Sequence, residues 1–190
     1  MSAKNTLETL ENVRENIIFN LSDGVKNRNS DFRTFTFCTS TDTPDARTVV
    51  LRGYDSHDGI ITLHTNYHAD KINQLKINSE VCCVFYSKSK KIQIRCFGEA
   101  SINHSNERSL KSWKNMSDMS KECYFQVPNP GEPITKYDNF SKKTVDRESE
   151  AFSVIDIKVR KIDWLYLKRE GHRRANIFIN SSDNDTWVSP

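Results

Sequence analysis

The spacing of apolar residues changes along the chain, from helical at the N-terminal end to alternating soon after. Leu7, Leu10, Val13 and Ile17 recur at intervals of three and four, which places them on one face of a helix over about residues 5–20. Asn5 followed by Glu8 has the form of a capping box, and Ser22-Asp23-Gly24 reads as its stop. From residue 32 the period falls to two: Phe35 and Phe37 alternate with Thr34 and Thr36, and Thr41–Asp45 reads as a turn. The runs 47–52 and 60–65, separated by the turn Asp55–Gly59, predict a hairpin. A short helix is expected over about residues 70–78, with Ile72 and Leu75 as its apolar positions.

Two further strands are predicted at 81–86 and 91–101, then a helix over 105–122. The stretch from Val127 to Pro133 holds three prolines, which fix φ and remove donors, so it is irregular. A last group of strands is expected at 152–159, 164–167 and 177–179. Strands joined by short turns, with helices in a few connections, argue for antiparallel pairing. The expected fold is mainly β, an antiparallel split barrel of Greek-key type with peripheral helices. One domain is expected over 1–190, with the barrel at about 30–180, because no repeat or Pro/Gly-rich linker divides the chain.

Composition narrows the function. Twenty-eight basic residues against 25 acidic give a net charge of +3, too mild for a dedicated nucleic-acid binder. The Lys88–Lys91 and Lys168–Arg174 clusters read as solvated turns. No run of eighteen apolar residues occurs, and the first twenty residues lack the basic and apolar regions of a signal peptide, so a cytoplasmic protein without membrane contact is expected. Five cysteines without C-x-x-C spacing suit reduced thiols. No G-x-S-x-G, H-E-x-x-H or Walker sequence is present, and His64 and His68 straddle a strand end, so no metal site is expected. Trp113 and Trp187 are open to a place in the core, at an interface or stacked on a ligand ring, with the core as the default.

The remaining signal is charge set into strands. Arg47 and Arg52 bracket Val49-Val50-Leu51, and Lys71 opens the helix after His64-Thr65-Asn66-Tyr67. Arginine, lysine, a threonine hydroxyl and helix-end amides are groups that hold a phosphate monoester. Gln93 faces away from Ile92 and Ile94, and its amide can read a heterocycle edge. The plainer reading of the same spacing places Arg47, Arg52 and Gln93 on a solvated sheet face.

Three blocks together, Arg47-Thr-Val-Val-Leu-Arg-Gly-Tyr54, His64-Thr-Asn-Tyr-His-Ala-Asp-Lys71 and Ile92-Gln-Ile-Arg-Cys-Phe-Gly98, resemble the pyridoxamine 5′-phosphate oxidase family of FMN-binding split barrels. Trp164 and the later Gly171-His-Arg-Arg174 are similar to its C-terminal element. The resemblance implies a homodimer with FMN between the subunits. It implies that Arg47 and Lys71 hold the FMN phosphate. Thr65, His64 and the strand Arg47, Thr48, Val49, Val50, Leu51, Arg52 would line the ribityl chain and ring. It also places Gln93 against the isoalloxazine, with Trp164 and Arg174 closing the site, and His172 and Arg52 beside a small substrate whose hydride passes to FMN. The sequence departs from the family at Asp70, where a basic residue is usual, and at His64, Ala69 and Glu170. The family's Tyr-x-x-x-Arg-x-x-x-Ser substrate-phosphate element is not found in 107–127. An alternative is a non-catalytic flavin or haem carrier, with His64, His68 or His172 as axial ligand.

Overall fold

The computed structural model describes residues 7–136, 141–142, 150–179 and 181–190. Helix α1 spans Leu10–Lys26 and buries Val13, Ile17 and Leu21. Its start is capped by Thr9, whose hydroxyl accepts the Asn12 amide at 3.1 Å, so the helix begins later than its apolar spacing predicts. Asn5 lies outside the described residues. Nor does Ser22-Asp23-Gly24 stop the helix: Gly24 is an interior position where a Cβ would lie 2.4 Å from the Phe32 carbonyl oxygen. The glycine lets the helix sit against the following chain, and Arg33 then donates to the Gly24 and Val25 carbonyls at 3.2 and 2.8 Å.

The strands are β1 (Thr34–Ser40), β2 (Pro44–Val50), β3 (Gly53–Asp55), β4 (Ile60–Asn66), β5 (Glu80–Ser87), β6 (Ile92–His104), β7 (Gln126–Val127), β8 (Ser141–Lys142), β9 (Phe152–Tyr166), β10 (Arg173–Phe178) and β11 (Thr186–Val188). Helix α2 spans Asp70–Ile77, α3 spans Glu107–Lys114 and α4 spans Asp118–Lys121. The helix expected over 105–122 is therefore interrupted: Asn115 caps α3, and Ser117-Asp118 starts a new turn.

Nine strands form one sheet in the order β11-β10-β9-β6-β5-β1-β2, with β3 and β4 joining through β9. The hairpin is rearranged from expectation. The run 47–50 pairs with β1, from Thr34 opposite Val50 to Ser40 opposite Pro44, while Gly53–Asp55 is the partner of β4. Between them the Arg52 amide donates to the Thr62 carbonyl at 2.9 Å, where the curled sheet nearly meets itself without a closing ladder.

The long strand β9 sets the architecture. One edge runs along β6 for its whole length; the other pairs with β4 over 152–158 and with β10 over 161–166. The change of partner coincides with a bulge at Phe97/Gly98, where Phe97 faces Lys161 and Gly98 faces Val159, so Arg160 has no opposite residue. A Cβ at Gly98 would lie 2.2 Å from the Lys158 carbonyl oxygen, so only glycine admits this approach. Inside the curl, α1, Phe35, Phe37, Leu63, Phe85, Ile94 and Trp164 form the main core. Trp113, Phe125, Phe152 and Val154 form a second cluster on the other side of the sheet, against α3.

Candidate functional site

Strand alternation puts Arg47 on the side of β2 that faces the core, opposite Phe37. Its guanidinium lies over the Phe37 ring, 5.9 Å from the centroid. Nη1 donates to Thr39 Oγ1 at 2.7 Å, and Nη2 donates to Gln74 Oε1 at 2.8 Å and pairs with the Asp45 carboxylate. Gln74 in turn donates to Asp45 at 2.9 Å. Lys71, in the first turn of α2, sends Nζ to Thr65 Oγ1 at 3.1 Å. Burial pushes the Lys71 ammonium below the ordinary lysine range, and the Arg47 charge adds to the effect against the attraction of Asp70 and Asp45. Two cations and two threonine hydroxyls thus converge beside the edge strand. Among the described residues no carboxylate lies within ion-pair distance of Lys71 Nζ. This donor set fits a phosphate monoester: a half-buried ammonium with only a neutral partner lacks the anion that would offset its desolvation.

The other residues expected at the site lie elsewhere. Thr48 is exposed on the opposite face of β2, and Val50 is half-buried. Val49 packs against the core, and Leu51 is fully buried within it. His64 and Thr65 are neighbours on a strand and point to opposite sides. Thr65 meets Lys71, whereas the His64 ring packs edge-on to Phe152 at 5.1 Å. Burial, with the Arg52 and Arg108 charges, lowers the His64 pKa to about 4. Arg52 itself is exposed just beyond β2.

Gln93 and Arg174 lie on one rung of the sheet, each opposite Leu165. Arg174 is held by Asp163, with Nη2 to Oδ2 at 2.7 Å and Nε to Oδ1 at 3.1 Å, and Arg95 pairs with the same carboxylate. Burial would raise the Asp163 pKa, but the hydrogen bonds and charges of both arginines outweigh it and lower the value. Trp164 faces the other way. It has no exposed surface, and its indole N–H donates to Asn16 Oδ1 on α1 at 3.2 Å. In this chain Trp164 is a core residue. His172 is exposed and its Nδ1 accepts the Lys168 amide at 3.2 Å. With Arg173, Arg174, Glu8, Trp187 and Val188 it lines a groove of about 330 Å³. Trp187, expected in the core, is 40% exposed there.

The chain thus brings Arg47, Lys71 and Thr65 together, and separately Gln93 and Arg174, but not the two groups. Arg47 belongs to the core-facing rung Arg47–Phe37–Cys83–Cys96, whereas Gln93 and Arg174 lie on the outer face. The sequence reading did not include Asp45, Gln74 and Thr39. The signals were present: Asp45 is two residues before Arg47 on the same strand face, and Gln74 is three after Lys71 on the same helix.

An antiparallel sheet that curls around a core and forks along one strand is a split barrel. Its likeness to solved structures extends over nearly the whole chain. A pyridoxamine 5′-phosphate oxidase-related, FMN binding protein from Nostoc punctiforme superposes with a TM-score of 0.76 at 19% identity, covering 93% of this chain and 97% of that one. PhzG from Burkholderia lata superposes with a TM-score of 0.71 at 12% identity, covering 100% and 98%. Residues 15–104 match the family model for pyridoxamine 5′-phosphate oxidase, FMN-binding domain. Pyridoxine/pyridoxamine 5′-phosphate oxidase 2 of Arabidopsis thaliana is 26% identical over 157 residues, 77% of this chain and 78% of that protein. The chain is thus similar to the pyridoxamine 5′-phosphate oxidase-like split barrels, in sequence over residues 15–104 and in fold over nearly its whole length.

Proposed function

We propose that this protein is an FMN-binding oxidoreductase that works as a homodimer on a small substrate. The observation that carries the reading is the convergence of Arg47, Lys71 and Thr65, with Lys71 Nζ half-buried beside a neutral hydroxyl. Arg47 and Lys71 would hold the FMN phosphate, and Thr65 would fix the direction of the Lys71 ammonium. When bound, FMN supplies a two-electron acceptor for a substrate hydride. Gln93 offers its amide as donor and acceptor on the outer face, and Asp163 holds the Arg174 guanidinium beside it. The Arg47–Lys71 cradle and the Gln93–Arg174 pair lie on different faces of one chain, so a site using both draws on a second copy. Arg52 and His172 are the exposed polar groups that would orient the substrate.

A haem carrier is the less favoured reading. His64 is packed against Phe152, and His172 Nδ1 is engaged by the Lys168 amide.

Titration of FMN into the purified protein, followed by flavin fluorescence and visible absorption, tests the proposal. Saturable quenching that is lost in Arg47→Ala/Lys71→Ala is the expected result. Quenching that survives the double substitution would remove the phosphate assignment, and no quenching in the wild-type chain would remove the flavin reading.

A further inference from the structure

We propose that Asp45 is a built-in competitor for the anion site: its carboxylate pairs with the Arg47 guanidinium, and an incoming phosphate monoester must displace it. The inference rests on the FMN reading and concerns how that site is regulated. The contacts divide into a fixed part and a movable part. Thr39 is 3% exposed, accepts from Arg47 Nη1 at 2.7 Å and donates to Gln74 Oε1 at 2.6 Å, so one edge of the guanidinium is held by core-facing groups. Asp45 lies on the other edge, and its side chain is 45% exposed against 20% for Arg47. It stands one residue into the edge strand β2, beside the 41–43 turn, with no strand on its outer side among the described residues. The carboxylate can therefore rotate into water while β2, Thr39 and Arg47 keep their places.

Charge gives the contact its function. With Asp45 in place, its carboxylate offsets part of the charge of both cations, in addition to the pull of Asp70 on Lys71. With Asp45 rotated out, both charges face an incoming anion. The Asp45 carboxylate offers one negative charge and, of the two cations, touches only Arg47, whereas a phosphate monoester carries close to two and presents three acceptor oxygens that can reach Arg47 and Lys71 together. The exchange thus favours a dianion and penalises singly charged ligands, which gain little by replacing one carboxylate with another. Gln74 serves both states: its amide donates to Asp45 at 2.9 Å, and its carbonyl accepts from Arg47 at 2.8 Å, so the arginine stays oriented once Asp45 leaves.

The test measures FMN and riboflavin affinity by fluorescence quenching at low ionic strength, with inorganic phosphate as a second probe read from the melting temperature. Asp45→Asn keeps the Gln74 contact and removes the charge; Asp45→Ala removes both, and melting curves verify that each variant is folded. Both variants are expected to bind FMN about tenfold more tightly than the wild type, with riboflavin affinity unchanged. Gln74→Glu, which adds a second carboxylate at Arg47, is expected to weaken FMN binding by a similar factor. If wild type binds FMN and Asp45→Asn binds it equally or more weakly, the flavin reading stands and the competition is overturned, Asp45 then being a support for Arg47. If no chain responds to FMN but phosphate raises the melting temperature of Asp45→Asn more than that of wild type, the flavin reading falls and the competitor stands. Indifference of all chains to both probes overturns the two together.

Discussion

Lys71 Nζ and Thr65 Oγ1 lie 3.1 Å apart where the first turn of α2 passes the end of β4, and burial holds the ammonium below its ordinary pKa. A lysine whose folded-state pKa is depressed is a liability below that pKa, because the unfolded chain keeps the proton more easily; the cost fades as pH rises toward the unfolded value. Lys71→Met should therefore stabilise the ligand-free protein by about 1 kcal/mol at neutral pH, a rise of roughly 2–4 °C in melting temperature. The wild type should gain about 2.7 kcal/mol from FMN at a hundred times its Kd, and the variant little. Thermal melts with and without FMN measure both effects, and a destabilised Lys71→Met would contradict the account.

His64 gives a pH dependence of a different kind. Its pKa is lowered to about 4, first by burial and then by Arg52 and Arg108, so the folded protein keeps it neutral where the unfolded chain would protonate it. Its contribution to stability is complete above pH 6.5 and declines as pH falls toward 4. The His64 ring resonances should stay unchanged between about pH 7.5 and 5.5. His64→Gln should flatten the loss of stability over the same window.

Trp164 belongs to the α1 interface. Replacing it with Phe leaves Asn16 without the indole N–H and opens a void between α1 and the sheet, at a cost of about 2–4 kcal/mol. Denaturant unfolding should show that loss, with FMN affinity of the folded variant within a factor of two or so of wild type. A large drop in affinity with unchanged stability would place the indole at the ligand instead.

Gly98→Ala should be among the most damaging single-methyl additions in the chain. The new Cβ would meet backbone on every close contact, at 2.2 Å from the Lys158 oxygen and 2.8 Å from Val159 Cα, and neither can rotate away. A loss of about 3 kcal/mol or more is expected, read as a fall in the chemical-denaturation midpoint.

Much of this was legible in the chain before its structure. The alternation around Phe35 and Phe37 and the helix at residues 70–77 follow from period and spacing, because each needs only local geometry, whereas the grouping of Arg47 with Thr65 and Lys71 comes from the resemblance to the family and not from spacing. Trp164 did not follow, since a strand residue can face either side and α1 decides which side is core. His64 and Leu51 lie away from Thr65 and Lys71 for a related reason: neighbours on a strand look in opposite directions. The 47–52 run was paired with the wrong strand because a break at Leu51-Arg52 leaves no mark in hydrophobicity. Asp45 was overlooked because an acidic residue in a cationic motif reads as noise until its distance to the guanidinium is known.

Arg160, which has no opposite residue on β6, marks the point at which β9 changes partners. Residues 152–158 are laddered to β4, and so to Thr65 and the lysine it faces; residues 161–166 are laddered to β10 and the carboxylate that grips Arg174. β6 pairs with both stretches, the Arg160 carbonyl accepts the Ile179 amide at 3.2 Å, and the Arg160 guanidinium pairs with Glu80. The fork is therefore splinted, with one neighbouring strand tying the cradle end of the barrel to its outer face.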